Sequence, residues 1–177
     1  MSLHLRPTTD EYSAWYHNYV HRVKSSDVIS ALEDSRQFME LMWPEISQLP
    51  ASYAYETGKW SVAQLLRHII DSEWIFAYRA LRFARNDFSE LPGYDHDAYA
   101  LQTVEESLPD LVQQFIEIRS ATIGLFRSFP ESVGTQAGKA NGKLCSVRAL
   151  GFIIAGHQLH HLDILSARYL SAFDRNV

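Results

Sequence analysis

The chain has 177 residues, 46% of them apolar and 21% charged, a composition that fits one globular domain and excludes disordered, collagen-like and disulfide-scaffold classes. A formal net charge of -5 and a pI of about 5.9 leave no basic footprint for phosphate backbones, so no nucleic-acid partner is expected. The single cysteine, Cys145, can form neither an internal disulfide nor a cysteine-based zinc site. With no apolar leader and no uncharged run of about 18 residues, the expectation is a cytoplasmic protein with no membrane partner.

Taken in chain order, the glycines and prolines are mostly grouped, and the segments between the groups read at helical period. A short helix is predicted over about 9–23, with Tyr12, Trp15, Tyr16, Tyr19 and Val23 on one side. The next runs from Asp27 to about Trp43, ends before Pro44, and carries Val28, Leu32, Phe38 and Leu41 inward. Ser61 is an N-cap candidate for a helix to about Arg85, on which Leu65, His68, Ser72, Ile75, Arg79 and Phe83 share a stripe. A long connection, Asn86 to Gln102, follows; when extended it can run the length of a bundle helix, so the helix order need not be simply up and down.

Thr103 to Ser128 carries Val104, Leu108, Leu111, Val112, Phe115, Ile118, Ile123 and Phe126, with Pro109 either kinking the helix or marking its first turn. After a second long connection, Phe129 to Cys145, the last helix runs from Ser146 to about Leu170, with Val147, Leu150, Ile154, His157, His161 and Ile164 on one stripe. No segment alternates at period two for long enough to suggest a sheet. The expected architecture is therefore all-α: one domain over 1–177, with a four-helix bundle over about 27–170 and a short extra N-terminal helix.

Histidines occupy the centres of two apolar stripes. His157 and His161 are i, i+4 and point inward, one turn apart, a spacing that suits two ligands of one metal ion. The segment is His157-Gln158-Leu159-His160-His161, without the glutamate of the zinc-protease H-E-x-x-H motif, so protease chemistry is excluded. His68 on the Ser61 helix can supply the third ligand. Three protein ligands and one vacant position describe a catalytic rather than a structural metal. Burying three imidazoles with no shared partner would cost roughly 1 to 3 kcal/mol each. His17 and His21 have the same spacing but face away from Tyr12, Tyr16 and Tyr19, so they are read as surface residues, as are His4 and His96.

Other polar residues carry open alternatives. Arg79 could fork onto an anionic substrate group or tie structurally to Glu73 or Asp95, and Arg119 has the same two readings. Ser72 shares the inward stripe as a substrate or outer-sphere candidate. His160 is either an outer-sphere donor or a boundary residue, and Asp71 and Asp163 are either acceptors for the second ring nitrogen or solvated charges. No G-x-S-x-G elbow or phosphate-binding glycine loop is present.

Three segments in order resemble the DinB-like, or damage-inducible, family of small four-helix metalloproteins, which is unrelated to the polymerase of that name. GKWSVAQLLRHIIDSEWIFAYRALRFARND (Gly58 to Asp87) is similar to its second helix with one histidine, LPGYDHDAY (Leu91 to Tyr99) to the loop that follows, and SVRALGFIIAGHQLHHLDILSARYL (Ser146 to Leu170) to its last helix. The resemblance implies up-down-down-up order and frequent homodimers. It also implies a divalent metal, commonly zinc or nickel, on His68, His157 and His161. Members are viewed as metal-dependent hydrolases, and active relatives are transferases or isomerases that use a low-molecular-weight thiol. Where the family commonly has glutamate after the first histidine, this chain has Gln158, which reads as facing away from the stripe. Two functions stand: an enzyme activating water or a small thiol against a small-molecule substrate, or a non-catalytic metal- or ligand-binding or dimeric interaction bundle of the stress response.

Overall fold

In the computed structural model, which describes residues 5–102 and 106–173, the helices in order are α1 (His17–Arg22), α2 (Val28–Ile46), α3 (Val62–Ala84), α4 (His96–Leu101), α5 (Leu108–Arg127) and α6 (Val147–Ile164). Each of the four long ones opens on a short polar side chain. Asp27, Ser61, Ser107 and Ser146 accept the backbone N–H three residues on, satisfying a donor that the first turn leaves free. At α3 the exchange is mutual, because Gln64 Oε1 accepts the Ser61 N–H at 2.8 Å. Pro109 lies in the first turn of α5, where its missing N–H removes no helical bond.

Contacts between helices set their directions. Val28 and Phe126 pack against Gly151, so the start of α2, the start of α6 and the end of α5 share one level. At the next level Arg119 of α5 reaches Leu32 and Ser35 of α2, Glu73 of α3 and Gln158 of α6. Thus α2 and α6 run in one direction and α5 in the other. His68 and Phe76 lie against His161 and His157 respectively, so α3 opposes α6. The order is up, down, down, up, and the chain between α3 and α5 must return along the bundle. A wide π-type turn, Leu165–Leu170, continues α6. Thr103 and Val104, like His4, lie outside the described residues.

The core has two apolar clusters. One, around Leu32, Phe83, Phe126 and Phe152, lies at the end where α6 begins; the other, around Met39, Leu65, Phe115 and Leu162, lies at the opposite end. Between them is a buried polar layer centred on Arg119, which is 0% exposed. Its guanidinium donates to both Glu73 carboxylate oxygens at 2.8 Å, to Ser35 Oγ at 2.5 Å, to Leu32 O at 3.1 Å and to Gln158 Oε1 at 2.8 Å. Gln158 also donates to Ser35 O at 2.6 Å. Gln158 points to Arg119 and Ser35 rather than to the histidines, and it is nonetheless buried, because α6 runs between α2, α3 and α1 and is buried on every side over 147–158.

Four local expectations are corrected. A β-hairpin, β1 (Ala137–Ala140) and β2 (Lys143–Ser146), forms where no sheet was expected. Its two-residue turn, Asn141-Gly142, has φ of 51° and 69°, the left-handed pair that matches strand twist. Strands of four residues are too short to display a period. The N-terminal segment forms two 3₁₀ turns, Thr9–Glu11 and Ala14–Tyr16, before α1. These tighter turns do not carry an α-helical stripe, which leaves Trp15 69% exposed.

On α2 the inward row is Val28, Leu32, Ser35, Met39 and Ile46, so Phe38 and Leu41 fall outside it and are exposed. That helix continues through Pro44 to Ile46, because burial of Ile46 and Leu49 draws the last turn inward despite the missing N–H.

Candidate metal centre

His68 comes from α3, and His157 and His161 from successive turns of α6. The Nε2 of His157 is 3.1 Å from that of His68 and 3.2 Å from that of His161. One ring nitrogen has either one proton or one lone pair to offer, so His157 Nε2 cannot satisfy both neighbours at once. A cation among the three lone pairs would satisfy all of them. Zn–N bonds of about 2.0–2.1 Å at tetrahedral angles put ligand nitrogens about 3.3 Å apart, close to the two distances from His157. Burial, with His96 and His160 nearby, pushes the His68 pKa down to about 4. Burial, with the neighbouring histidines, holds His161 down at about 2 and drives His157 well below the ordinary imidazole range. All three are neutral at pH 7 and present lone pairs. Among the described residues they form a group of histidine donors within 4.8 Å of one another.

A cavity of about 290 Å³ opens on this group. Its walls come from α3 and α6, from the aromatic side of the N-terminal segment, and from Trp60, Tyr94, His96, Asn141 and Lys143, which lie in stretches read as connections. Gly156 lets α1 lie directly on α6: a Cβ there would stand 2.0 Å from the Tyr19 carbonyl oxygen. Tyr19 is thereby placed edge-on to His157, at 5.3 Å between ring centroids. Trp60, just before the Ser61 cap, lies 4.8 Å from the His68 ring. His96 is exposed as expected, yet its ring stands 5.7 Å from that of His68 at the cavity mouth. The Tyr94 hydroxyl, from the α3–α4 connection, is 2.6 Å from Ser72 Oγ.

The other candidates divide as follows. Ser72 is inward and fully buried, but it touches Tyr94 and is not itself a cavity wall. Arg79 lines the cavity; the proposed tie to Glu73 or Asp95 is not made, since Glu73 holds Arg119 and Asp95 caps α4. His160 is half-buried between His161 and Tyr19. Asp163 pairs with Arg22, and Asp71 lies 4.0 Å from Arg67, so both carry surface charge interactions. His17 and His21 are exposed, as their rotation predicts.

A profile of the DinB superfamily matches residues 9–165. The chain belongs to this superfamily. Among solved structures it is similar to YfiT from Bacillus subtilis, described as a probable metal-dependent hydrolase with an unusual four-helix bundle topology. The match covers 94% of this chain and 92% of that one, at 14% sequence identity and a TM-score of 0.62. At that identity the likeness establishes a shared fold. No curated protein matches the chain in sequence. Among the described residues of this DinB superfamily member, no helix is long and apolar enough to cross a membrane.

Proposed function

We propose that the protein is a metal-dependent enzyme in which His68, His157 and His161 hold one divalent ion, zinc or nickel, and whose substrate is a small molecule. The observation that carries this reading is the convergence of three neutral Nε2 atoms, one of which cannot satisfy both of its neighbours without a cation. YfiT, described as a probable metal-dependent hydrolase, shares the fold and supports the hydrolytic branch. When bound, an ion with three protein ligands has an open position at which water or a small thiol is acidified and an electrophile polarised.

The chain's own residues supply the surroundings. Trp60, Tyr19 and Phe76 wall the cavity with aromatic surface and restrict water to the opening. Ser72 acts through Tyr94, fixing the phenol over the cavity and keeping its hydroxyl as a hydrogen-bond partner for substrate. Burial pushes the Tyr94 pKa up, which keeps that group protonated at neutral pH. His160 packs against His161 and braces its ring.

The test is metal content by plasma mass spectrometry on untagged protein, beside His68→Ala, His157→Ala, His161→Ala and His21→Ala. About one divalent ion per chain, lost in the first three variants and retained in the fourth, is the expected result. Equal retention in all four, with the helical fold intact, would overturn the reading.

A further inference from the structure

The described residues include three buried arginines, Arg79, Arg119 and Arg148. Arg119 grips Glu73, and Arg148 grips Glu11, each with two nitrogens on two carboxylate oxygens. Arg79, only 5% exposed, pairs with no carboxylate among the described residues. Its one hydrogen bond there runs from Nη2 to Pro92 O at 3.1 Å, which leaves most of its five donors free.

The guanidinium is turned toward the cavity. Arg79 follows His68 by three turns on the same α3 face, about 16 Å along the axis. Helical side chains lean toward the N-terminus, so Arg79 reaches back and lies over the Phe76 ring, 5.5 Å from its centroid. The Phe76 ring also meets His157 in a T-shaped contact, at 5.9 Å between centroids. Phe76 thus touches both the guanidinium and a histidine of the cluster and lines the cavity they share. At the same end β2 brings in Lys143, whose Nζ sits 4.8 Å from the Trp15 ring centroid and forms no ion pair among the described residues.

Among the described residues no aspartate or glutamate lines this cavity, although the chain has 21 acidic against 16 basic residues. The neighbouring acids are engaged elsewhere: Asp71 beside Arg67, and Glu90 accepting the Gly142 N–H at 3.2 Å. A buried guanidinium without a counter-ion is costly unless an anion completes it. A planar fork on an apolar floor suits an oxyacid group carried by an apolar body.

We infer that the Arg79 end of the cavity is a subsite for the oxyacid anion, carboxylate or phosphate, of a small organic acid. Arg79 is the principal contact, Lys143 is a second cation, and the apolar body rests on Phe76. This deepens the reading above, on which it rests for the reaction but not for anion binding itself. The subsite selects acids over their neutral amides and orients the bound molecule with its far end toward the three histidines.

The test is calorimetric titration of the metal-loaded protein with phenylacetate, phenyl phosphate and neutral phenylacetamide, repeated on Arg79→Gln, Arg79→Lys, Lys143→Gln and His161→Ala. Arg79→Gln removes the charge and keeps a polar, uncharged side chain, and Arg79→Lys keeps the charge without the planar fork. At least one acid is expected to bind tenfold or more weaker to Arg79→Gln and about threefold weaker to Lys143→Gln. Arg79→Lys should retain an intermediate affinity, and phenylacetamide should not distinguish wild type from Arg79→Gln. Which acid binds more tightly names the group.

The inference is overturned if both acids bind wild type and Arg79→Gln equally, or if neither binds the folded wild type. It is also overturned if binding is lost in His161→Ala and kept in Arg79→Gln, because the anion would then sit on the metal. Failure of the metal reading shows separately, as metal content unchanged in His161→Ala whatever the acids do.

Discussion

Glu73→Gln should be among the most damaging conservative changes in the molecule. Glu73 is 2% exposed and gives Arg119, itself fully buried, its only anionic partner among the described residues. The amide nearly matches the carboxylate in shape, so the cost is electrostatic and not a cavity. It leaves a guanidinium charge at the centre of the bundle with only neutral acceptors, Leu32 O, Ser35 Oγ, Gln158 Oε1 and the one amide oxygen of the substituted side chain, and turns an NH2 donor toward it. Removing one partner of such a pair costs about 3–5 kcal/mol, a large share of the roughly 5–15 kcal/mol that holds a domain folded.

With a urea slope of about 2 kcal/mol per molar, the unfolding midpoint should fall by about 2 M. Arg119→Met should cost a comparable amount, and the double variant should cost at least about 2 kcal/mol less than the two singles added together. Urea titrations of the four proteins, followed by circular dichroism, measure the cycle. A Glu73→Gln shift below about 0.5 M, or strict additivity of the two singles, would refute the claim that this ion pair is the electrostatic centre of the core.

Three further outcomes follow from the same structure. Gly156→Ala places a methyl group against the Tyr19 backbone, so α1 must back away. Destabilisation of about 1–3 kcal/mol is expected, with faster amide exchange over 17–22 and unchanged protection in α3; unaltered exchange in α1 would contradict the packing. Ser72→Ala removes the 2.6 Å contact to Tyr94. It should cost about 1 kcal/mol and broaden the Tyr94 ring signals in NMR spectra, and unchanged spectra would show that Ser72 does not position that ring.

The third outcome concerns acid. His68, His157 and His161 have folded pKa values pushed below 6.5 by burial, so the unfolded chain binds more protons as pH falls. Their contribution is fully present above pH 6.5 and is lost as pH falls toward the folded values. Between pH 6 and 4, His68 alone removes about 1 kcal/mol per pH unit. Glu11 has the opposite build: burial tends to raise it, but hydrogen bonds from Arg148, Thr8 and Ser146 hold it down at about 2. Its contribution is lost only below about pH 4.5, and so stays constant between pH 7.5 and 5.5. Metal-free protein should therefore show a falling urea midpoint from pH 7.5 to 5.5, and His68→Gln should flatten the slope; a midpoint independent of pH would refute the burial of neutral imidazoles.

The sequence determined the helices that have long stripes and polar caps. Ser61 and Ser146 mark helix starts to the residue, because a cap is a local exchange between a side chain and the amide three positions on. The inward placement of His68, His157 and His161 follows from helical rotation, which is equally local. The length of the α3–α5 connection already allowed the return along the bundle. The hairpin was legible too, in Asn141-Gly142, but through turn chemistry and not through periodicity.

Only the tertiary structure decided matters that depend on which surfaces meet. Phe38, Leu41 and Trp15 are as apolar as their buried neighbours, and exposure separates them only once the partners of each helix are in place. Arg119 reads as ambiguous, and the partner of Gln158 is not readable at all, because a single helix cannot show which element covers its polar side. Tyr19, Trp60, Tyr94 and Lys143 reach the cavity from four different segments, brought together by Gly156, the capped entry to α3, the returning connection and the hairpin. Local pattern fixes where a side chain points on its own element; what it points at is set by long-range packing, which no window of one sequence contains.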